Sequence, residues 1–285
     1  MAAFGFVVHS ERREAWELGA ELSRWLRDRG HEVRLDPDDA RRCGLADLAC
    51  SPDELVVGLD LLVGLGGDGT MLGAVDRAAG DDVPVLGVNI GQLGYLTSIE
   101  PDGARVALKR FLSGSFDVEE RMRIACAIER ADGSIEESAT ALNEALVGGS
   151  ALGHTIRLDV ALDGEMFTPY VADAMLVATP TGSTAYALSA RGPIVDPRHR
   201  AQILVPVAPH MLFDRALVLQ ASTEIRLTVR GVRAASLSVD GRPSGALAVG
   251  DSVLCRAART PARLVRIGPP HFHQVLKAKF GLSDR

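Results

Sequence analysis

The sequence has few of the features that mark secreted or membrane-spanning proteins. Its 285 residues include four cysteines, and no two of them form a Cys-x-x-Cys pair. A chain of this length does not depend on disulfides for its core, so we expect reduced thiols in a reducing compartment. The sequence has no uninterrupted apolar run of about 18 residues, and its N-terminus lacks a signal peptide's basic region. These absences predict a cytoplasmic protein without a membrane span.

Positive charge is also scarce, since the formal net charge is −6. The chain therefore has no general electrostatic attraction for nucleic acid or for an anionic membrane, and we expect neither as a partner. A polyanionic substrate would have to be bound by local features. Repeats and low-complexity tracts are absent, while 47% apolar and 24% charged residues are an ordinary globular balance. This length predicts one large domain or two ordinary ones.

The first hundred residues alternate between short apolar runs and helical periodicities. The expected strands span 4–9, 31–35, 60–65 and 83–90, and the expected helices follow the first and third strands, with another at 102–112. Ser10 is the expected cap of the first helix. Residues 36–53 are polar and irregular and predict a mobile loop. This order indicates a parallel sheet covered by helices.

After about residue 100 the apolar residues recur at every second position. Segments 122–128, 158–162 and 225–229 follow this pattern, and Asp163-Gly164 is typical of a hairpin turn. The pattern predicts antiparallel sheets with one solvated face. We therefore expect an α/β domain at 1–100, followed by an all-β, antiparallel-rich domain at 101–267. A final helix at about 274–280 would pack back on the first domain, to which 268–285 would belong.

A glycine-rich loop carries the first candidate site. Gly66-Gly67-Asp68-Gly69-Thr70 follows an expected strand and precedes a helix, where free N–H groups suit a phosphate. No Gly-Lys-Ser/Thr follows, so it is not a Walker loop. Gly64-x-Gly66-x-x-Gly69 matches the dinucleotide fingerprint but follows the third strand rather than the first. Asp68 would repel a phosphate unless it binds a metal or accepts a proton. The alternative is a plain turn with Asp68 as a helix cap.

A polar pair interrupts an apolar run at Asn143-Glu144. Asn can pair with an adenine edge, and a carboxylate can accept hydrogen bonds from both hydroxyls of a ribose. The alternative is a strand end that faces solvent.

Asp173 precedes a hydroxyl-rich segment, Thr179-Pro180-Thr181-Gly182-Ser183-Thr184-Ala185-Tyr186. We expect a helix to begin near Ser183, where hydroxyls would either satisfy N–H groups or bind an anion. The alternative is an ordinary capped turn.

Tyr95 lies in a loop after the fourth expected strand, at the edge where open α/β sheets hold ligands. It could stack on a base, and the alternative is a core position.

The order and wording of these segments resemble the NAD kinase family over nearly the whole chain. The Gly-Gly-Asp-Gly-Thr loop is shared with diacylglycerol and sphingosine kinases, whereas Thr-Pro-Thr-Gly-Ser-Thr-Ala-Tyr is specific to NAD kinases. Pro206 to His210 and Asp240-Gly241 also look like family segments. The resemblance implies transfer of the terminal phosphoryl group of ATP to the adenosine ribose 2′-hydroxyl of NAD, giving NADP. It further implies Mg²⁺ or another divalent cation, a β-rich domain that binds NAD, and a homodimer or homotetramer.

The resemblance also assigns roles to individual residues. Asp68 would activate the hydroxyl or organise the metal, and Asp173 would lie near the nicotinamide. The loop that contacts the phosphates would comprise Gly66, Gly67, Gly69 and Thr70. Asn143 and Glu144 would bind the adenosine part. The adenine would be surrounded by Thr184, Ala185, Tyr186 and Ser189. From their own chemistry, we add Tyr95, Thr181 and Ser183 as candidate ligand contacts.

Three positions depart from the family pattern. This chain has Asp173-Ala174 where the family usually has Asp-Gly, and Val171-Ala172 where it often has Arg or another polar residue. It also has Arg191 where the family usually has Gly. The first two departures affect the expected contacts with the nicotinamide end of the dinucleotide, and hence the preference between NAD and NADH. We expect Arg191 in the last turn of a helix, facing its negative end, so that Arg191→Gly lowers stability slightly. Alternatively, Arg191 reaches a nucleotide phosphate across a subunit boundary.

Two other functions remain open from the sequence. A lipid kinase with the same glycine loop would need an apolar groove for an acyl chain. A dinucleotide-binding regulator without activity would have little reason to keep Asp68. The sequence does not decide between ATP and polyphosphate as donor, the metal, or the oligomer size.

Overall fold

The computed structural model describes residues 1–150, 154–268 and 272–282. The chain divides into two compact units, one made of Met1–Glu120 and Ala262–Arg285, the other of Arg121–Pro261. The first combines a largely parallel sheet with helices, and the second is rich in antiparallel strands. The expected fold class is confirmed. The first unit ends at residue 120, whereas the sequence predicted a boundary at 100. The chain rejoins the first unit at residue 262, whereas 268 was expected.

The first part of the chain alternates between strands and helices. Its elements are β1 (Ala3–Val8), α1 (Arg13–Arg27), β2 (Glu32–Leu35), α2 (Pro37–Arg42), α3 (Pro52–Leu55), β3 (Leu61–Gly66), α4 (Asp68–Ala78), β4 (Val85–Asn89), α5 (Ala104–Leu112) and β5 (Asp117–Arg121). Short 3₁₀ helices lie at Ala46–Leu48 and Pro101–Gly103.

The second part is made almost entirely of strands. Its elements are β6 (Ile124–Glu129), β7 (Ile135–Ala141), β8 (Glu144–Gly149), β9 (Ile156–Leu162), β10 (Glu165–Ala172), β11 (Ala174–Ala178), α6 (Tyr186–Ser189), β12 (Ala201–Val207), β13 (Leu217–Gln220), β14 (Ile225–Arg230), β15 (Ala235–Val239), β16 (Arg242–Leu247) and β17 (Ser252–Ala257), with a 3₁₀ turn at Thr181–Thr184. The chain then returns to the first unit through β18 (Ala262–Arg266) and α7 (Phe272–Lys279).

One six-stranded sheet forms the centre of the first unit, in the order β2-β1-β3-β4-β18-β5. Strands β1 to β4 pair in parallel, and Leu264 of β18 pairs in parallel with Val85 of β4. Strands β1, β3 and β4 are buried throughout, as expected for parallel strands covered on both faces. The sequence predicted the final helix but missed β18 before it. None of the helices in the described residues could span a membrane.

Two six-stranded antiparallel sheets form the second unit. Their orders are β10-β9-β14-β17-β6-β7 and β13-β12-β11-β8-β15-β16. Ile124 and Leu158 of one sheet and Val147 and Met175 of the other belong to one buried cluster, so the two sheets pack face to face. The alternate apolar residues predicted from the sequence are the ones that fill this core.

The polar stretch at 36–53, predicted to be a mobile loop, contains helix α2 and the start of helix α3. Asp36 caps α2 by accepting a hydrogen bond from the Asp39 N–H at 2.8 Å, and Pro37 occupies the first turn. The Asp39 carboxylate is buried and accepts the Val8 N–H at 3.0 Å. The prediction was wrong because these polar groups bond to the fold instead of to water. Ser10 does not cap α1, which begins at Arg13 without a side-chain cap.

Candidate active site

The glycine-rich loop joins β3 to the start of α4, as predicted. A Cβ on Gly66 would lie 2.2 Å from Oγ1 of Thr70, so the packing of the turn requires glycine there. Gly67 and Gly69 have open space where a Cβ would stand. Their backbone therefore faces the surrounding cavity unobstructed, next to the free N–H groups at the amino end of α4.

The Asp68 carboxylate is held by the loop that follows β4. One oxygen accepts the Tyr95 N–H at 3.0 Å and the other accepts the Leu96 N–H at 2.9 Å. Gly94 permits this approach, since a Cβ there would lie 2.3 Å from the carboxylate. A carboxylate offers about four lone-pair positions, so two bonds orient it and leave capacity for a proton or a cation. Asp68 is therefore a positioned acceptor and not a simple helix cap.

A cavity of about 530 Å³ surrounds this carboxylate within the first unit. Its walls come from the end of β1, the loop after it, one face of α4, the loop after β4, and α7. Among the described residues that line it, Asp68 is the one acid, whereas Arg12, Arg77 and Lys279 are cations. The size and the charges suit a small anionic ligand.

Glu144 is the first residue of strand β8 in the second unit, and Asn143 immediately precedes it. Asp240 holds its backbone, because the carboxylate accepts the N–H groups of Leu142, Asn143 and Glu144 at 2.7, 2.8 and 3.0 Å. Asp240 and Gly241 form the two-residue turn between β15 and β16, both with positive φ. The turn therefore fixes the start of β8 from a distant part of the chain.

Glu144 is a partly buried acid in an unfavourable environment. Burial raises the pKa of its carboxyl to about 7, and the negative charge of Asp240 adds to the shift. Its Oε2 is buried and has no hydrogen-bond partner among the described residues. Such an atom destabilises the fold unless a ligand supplies a donor. This environment favours the ligand-contact interpretation of Glu144 over a solvated strand end.

The first hydroxyls of the Thr179–Tyr186 segment bond within the fold. Thr179 Oγ1 donates to the Leu142 carbonyl at 2.5 Å and accepts the Gly182 N–H at 3.1 Å. Ser183 is fully buried, and its hydroxyl donates to the Pro180 carbonyl at 2.7 Å. A Cβ on Gly182 would lie 2.1 Å from the Asn143 carbonyl oxygen, so the segment packs directly on the start of β8.

The remaining predicted contacts of this segment divide by exposure. Thr181 is buried and accepts a hydrogen bond from Arg121 at 3.2 Å. The residues that reach the surface in part or fully are Thr184, Ala185, Tyr186 and Ser189. The helix expected near Ser183 is instead a 3₁₀ turn followed by the single turn of α6, because Ala185 leaves the helical region with ψ −129°.

Asp173 lies apart from the Glu144 end of the same sheet. It immediately precedes β11, whereas Glu144 pairs with Ala178 at the far end of that strand. Five residues of strand separate the two positions by roughly 17 Å. Asp173 is exposed. Within one chain, therefore, the structure does not bring Asp173 close to Glu144.

Two departures from the family pattern occur around Asp173. Ala174 is buried opposite Gly148 on β8, where a Cβ would lie 3.4 Å from the Ala174 methyl, so Gly148 leaves room for it. Val171 lines a cavity of about 390 Å³ in the second unit. Three arginines, Arg157, Arg230 and Arg233, line the same cavity.

Arg191 follows α6 and adopts φ +64°, in the left-handed region. Its N–H bonds to the Leu188 carbonyl at 3.0 Å, and the Gly192 N–H bonds to the Ala187 carbonyl at 2.7 Å. This pair of bonds is the Schellman motif, in which the residue at the position of Arg191 is usually glycine. The prediction that Arg191 lies in the last helical turn was wrong, and the expected sign of its stability effect reverses.

We expect Arg191→Gly to raise the free energy of unfolding by about 0.5–1 kcal/mol, because glycine adopts this φ without strain. For a protein of this size, that corresponds to a melting temperature higher by about 1–3 °C. Thermal unfolding of both proteins checks the change. Ala190→Gly is the matched control, since Ala190 has φ −84° and gains nothing from glycine. A fall in melting temperature equal to that of the control would contradict the strain argument.

Three residues that support the candidate site, Asp240, Gly94 and Arg121, were not predicted from the sequence as site residues. Asp240 was noticed as a family segment without a role, although Asp-Gly is the strongest short hairpin signal. Gly94 lies in the candidate ligand loop after the fourth expected strand but was given no role, and Arg121 gave no recognisable signal. Each acts on a residue that is distant in the sequence. Among the described residues, no three His, Cys, Asp or Glu side chains cluster as a metal site.

The sequence is similar to known proteins over nearly its whole length. A family model described as the ATP-NAD kinase N-terminal domain matches residues 4–116, and one for the ATP-NAD kinase C-terminal domain matches residues 142–267. The NAD kinase of Heliobacterium modesticaldum is 39% identical, with 98% of each chain covered. The NAD kinase of Moorella thermoacetica is 36% identical, covering 98% of this chain and 89% of the relative.

Solved structures resemble the fold. Yeast NADH kinase complexed with NADH superimposes with a TM-score of 0.92 at 27% identity, covering 100% of this chain and 89% of the other. An NAD kinase from Archaeoglobus fulgidus in complex with ATP gives a TM-score of 0.75 at 24% identity, covering 98% and 97%. At that identity the second likeness concerns the fold alone.

Proposed function

This chain belongs to the ATP-NAD kinase family, and we propose that it phosphorylates NAD at the 2′-hydroxyl of the adenosine ribose, using ATP. The products are NADP and ADP. The observation that carries the proposal is the fixed Asp68 carboxylate inside a cavity otherwise suited to phosphates. An acid in such a place repels the donor, so its presence is explained by the chemistry of the acceptor hydroxyl.

Asp68 acts as the acceptor of the hydroxyl proton. The ribose oxygen forms a bond to the terminal phosphorus of ATP, and the bond from that phosphorus to the bridging oxygen breaks, so that ADP leaves. The two backbone N–H groups that bind Asp68 keep its carboxylate in one orientation during this step. Positioning of this kind, together with a general base, is the main protein contribution to phosphoryl transfer.

The second unit supplies the dinucleotide contacts in this proposal. The orphaned Oε2 of Glu144 suits a ribose hydroxyl, which donates a hydrogen bond and thereby satisfies a buried acceptor. Asn143, which immediately precedes β8, would pair with the adenine edge. Thr184, Ala185, Tyr186 and Ser189 would surround the adenine, whereas Thr181 and Ser183 would support the turn from inside. Asp173 would contact the nicotinamide end.

A divalent cation, Mg²⁺ by preference, would accompany ATP. The residues fit this role, because Mg²⁺ is usually held by one or two carboxylates plus substrate phosphates rather than by a protein cage. Asp68 has unused lone pairs for it. When bound, the cation would offset the negative charge of the phosphates.

We also propose a cytoplasmic homodimer or homotetramer. The four cysteines are free in the structure, which supports a reducing compartment. The separation of Asp173 from Glu144 within one chain supports a role for a second copy of the chain, whose Asp173 could complete the contacts.

The proposal is tested by offering several acceptors with γ-labelled ATP and Mg²⁺. We expect label in NADP when NAD is supplied, and the same assay with NADH gives the preference between the two forms. Diacylglycerol and sphingosine test the lipid-kinase alternative. Label in either lipid without label in the dinucleotide would overturn the proposal, and label in neither would favour a silent dinucleotide-binding protein.

We expect NAD to bind about tenfold more weakly at pH 6 than at pH 8. With the pKa of Glu144 raised to about 7 by burial, the carboxylate is about a tenth ionised at pH 6 and nine-tenths ionised at pH 8. The ionised form accepts ribose hydroxyl bonds more strongly. Calorimetry across this pH range, in two buffers of different ionisation enthalpy, would detect proton release on binding. Equal affinities at both pH values would argue against the contact.

A further inference from the structure

Two cations of the cavity around Asp68 lack an assigned role. Arg12 comes from the loop between β1 and α1, and Lys279 is the last residue of α7. Their positions in the sequence are far apart, yet both line the same cavity in the first unit. The third cation, Arg77, bonds to Asp36 at 3.1 Å, so its charge is already paired.

Arg12 and Lys279 make no ion pair with any residue that the structure describes. The Arg12 guanidinium lies against Gly91, whose φ of +120° suits glycine and where a Cβ would meet the guanidinium. Lys279 places its Nζ 4.8 Å from the ring centre of Tyr95. Such a cation–π contact holds the ammonium group in place without neutralising it.

Tyr95 connects Lys279 to the centre of the site. Its ring makes the cation–π contact with the ammonium group of Lys279, and its backbone N–H donates a hydrogen bond to the Asp68 carboxylate. The loop after β4 therefore fixes the acid and one of the cations together. The Arg12 guanidinium reaches the same loop at Gly91.

We propose that Arg12 and Lys279 form a cationic clamp for the triphosphate of the donor nucleotide. A triphosphate carries several negative charges, and the backbone of Gly67 and Gly69, which lines the cavity at the start of α4, provides neutral donors beside them. The chain carries a net charge of −6, so local cations must overcome a general repulsion. This inference rests on the proposed kinase function and adds donor-binding residues to it.

The clamp is tested with inorganic tripolyphosphate, whose binding needs neither NAD nor turnover. We expect Arg12→Gln and Lys279→Gln each to weaken its binding by about tenfold or more, as the loss of a charge-assisted bond requires. Lys279→Arg keeps the charge and should retain most of the affinity. The loss should shrink at high salt, where such contacts are screened. Calorimetry measures the affinities, and thermal unfolding confirms that the variants fold.

Two neighbouring cations serve as matched controls. Arg13 is adjacent to Arg12 but pairs with Glu17 at 2.7 Å on the exposed face of α1. Lys277 lies on α7, and neither residue lines the cavity. We expect Arg13→Gln and Lys277→Gln to bind tripolyphosphate as the unmodified protein does. If all four substitutions weaken binding equally, general charge accounts for the effect and the clamp is refuted.

Enzyme kinetics separate the clamp from the kinase proposal. We expect the KM for ATP to rise about tenfold or more in Arg12→Gln and Lys279→Gln, while the KM for NAD stays within about twofold. NADP formation with unchanged ATP and tripolyphosphate binding in both variants would overturn the clamp and leave the kinase function intact. Loss of tripolyphosphate binding in a protein that never phosphorylates NAD would sustain the anion clamp and reject the kinase function.

Discussion

We expect Asp68→Asn to lower the rate of NADP formation by about a hundredfold or more, the usual contribution of a general base. Asparagine has nearly the same size but accepts no proton from the ribose hydroxyl. A hundredfold loss corresponds to about 2.7 kcal/mol of transition-state stabilisation. Initial rates at saturating ATP and NAD measure it.

Binding distinguishes lost chemistry from a damaged site. The amide can accept one of the two N–H bonds from Tyr95 and Leu96, so the melting temperature should fall slightly, by the value of about one hydrogen bond. NAD affinity should remain within about twofold. Metal-free ATP should bind as well or better, since a repulsive charge is gone. Near-normal turnover would refute the role of Asp68, and loss of NAD binding would show that the substitution disturbs more than the chemistry.

We expect Glu144→Gln to stabilise the protein while it weakens NAD binding. The pKa of Glu144 is raised by burial from its ordinary value of 4.5 to about 7. The folded state therefore holds this proton more tightly than the unfolded state, and ionising the carboxyl destabilises the fold as the pH rises from about 4.5 to 7. Removing the charge should raise the free energy of unfolding by roughly 2 kcal/mol at pH 8 and by little near pH 4.5.

The binding effect has the opposite sign. Glutamine lacks the charge that strengthens hydrogen bonds from the ribose hydroxyls, so NAD affinity should fall by about tenfold or more at pH 8. Denaturant unfolding at several pH values and calorimetry with NAD measure the two effects. Glu137→Gln is the control, because Glu137 is an exposed acid on β7. A variant that is more stable yet binds NAD normally would show that Glu144 has no ligand role.

These opposite effects show what a sequence can and cannot indicate. Asn143-Glu144 was recognised because a polar pair in an apolar strand is locally inconsistent, and such inconsistencies often mark function. The raised pKa was not predictable, since it depends first on burial of the carboxyl by the fold and then on the charge of Asp240, which lies almost a hundred residues further along the chain. Local pattern locates the residue, whereas the fold determines its environment.

The same division holds for the first unit. The strand, glycine loop and helix around Asp68 follow from apolar periodicity and glycine placement, and the structure has them where the sequence predicts. The hydrogen bonds from Tyr95 and Leu96 to Asp68 depend on how the loop after β4 folds back. Contact between Lys279 and Tyr95 depends on the return of the chain through β18, which the sequence did not reveal.

Two errors have local causes. Residues 36–53 were read as a loop because they are polar, although Asp36-Pro37 is a recognisable helix start. Arg191 was placed inside a helix because the Gly192-Pro193 pair was interpreted as the end of the helix expected to begin near Ser183. A glycine at that position, as in the family pattern, would have indicated the left-handed cap that the structure contains.

The proposed reaction moves the terminal phosphoryl group of ATP to the adenosine ribose 2′-hydroxyl of NAD, with Asp68 as the acceptor of the hydroxyl proton. The most direct measurement combines purified protein, ATP, Mg²⁺ and NAD, and determines the position of the new phosphate by NMR, with Asp68→Asn in parallel. We expect phosphate on the 2′-oxygen, formed about a hundredfold or more faster by the unmodified protein. Unchanged NAD, phosphate on another oxygen, or equal rates for the two proteins would contradict it.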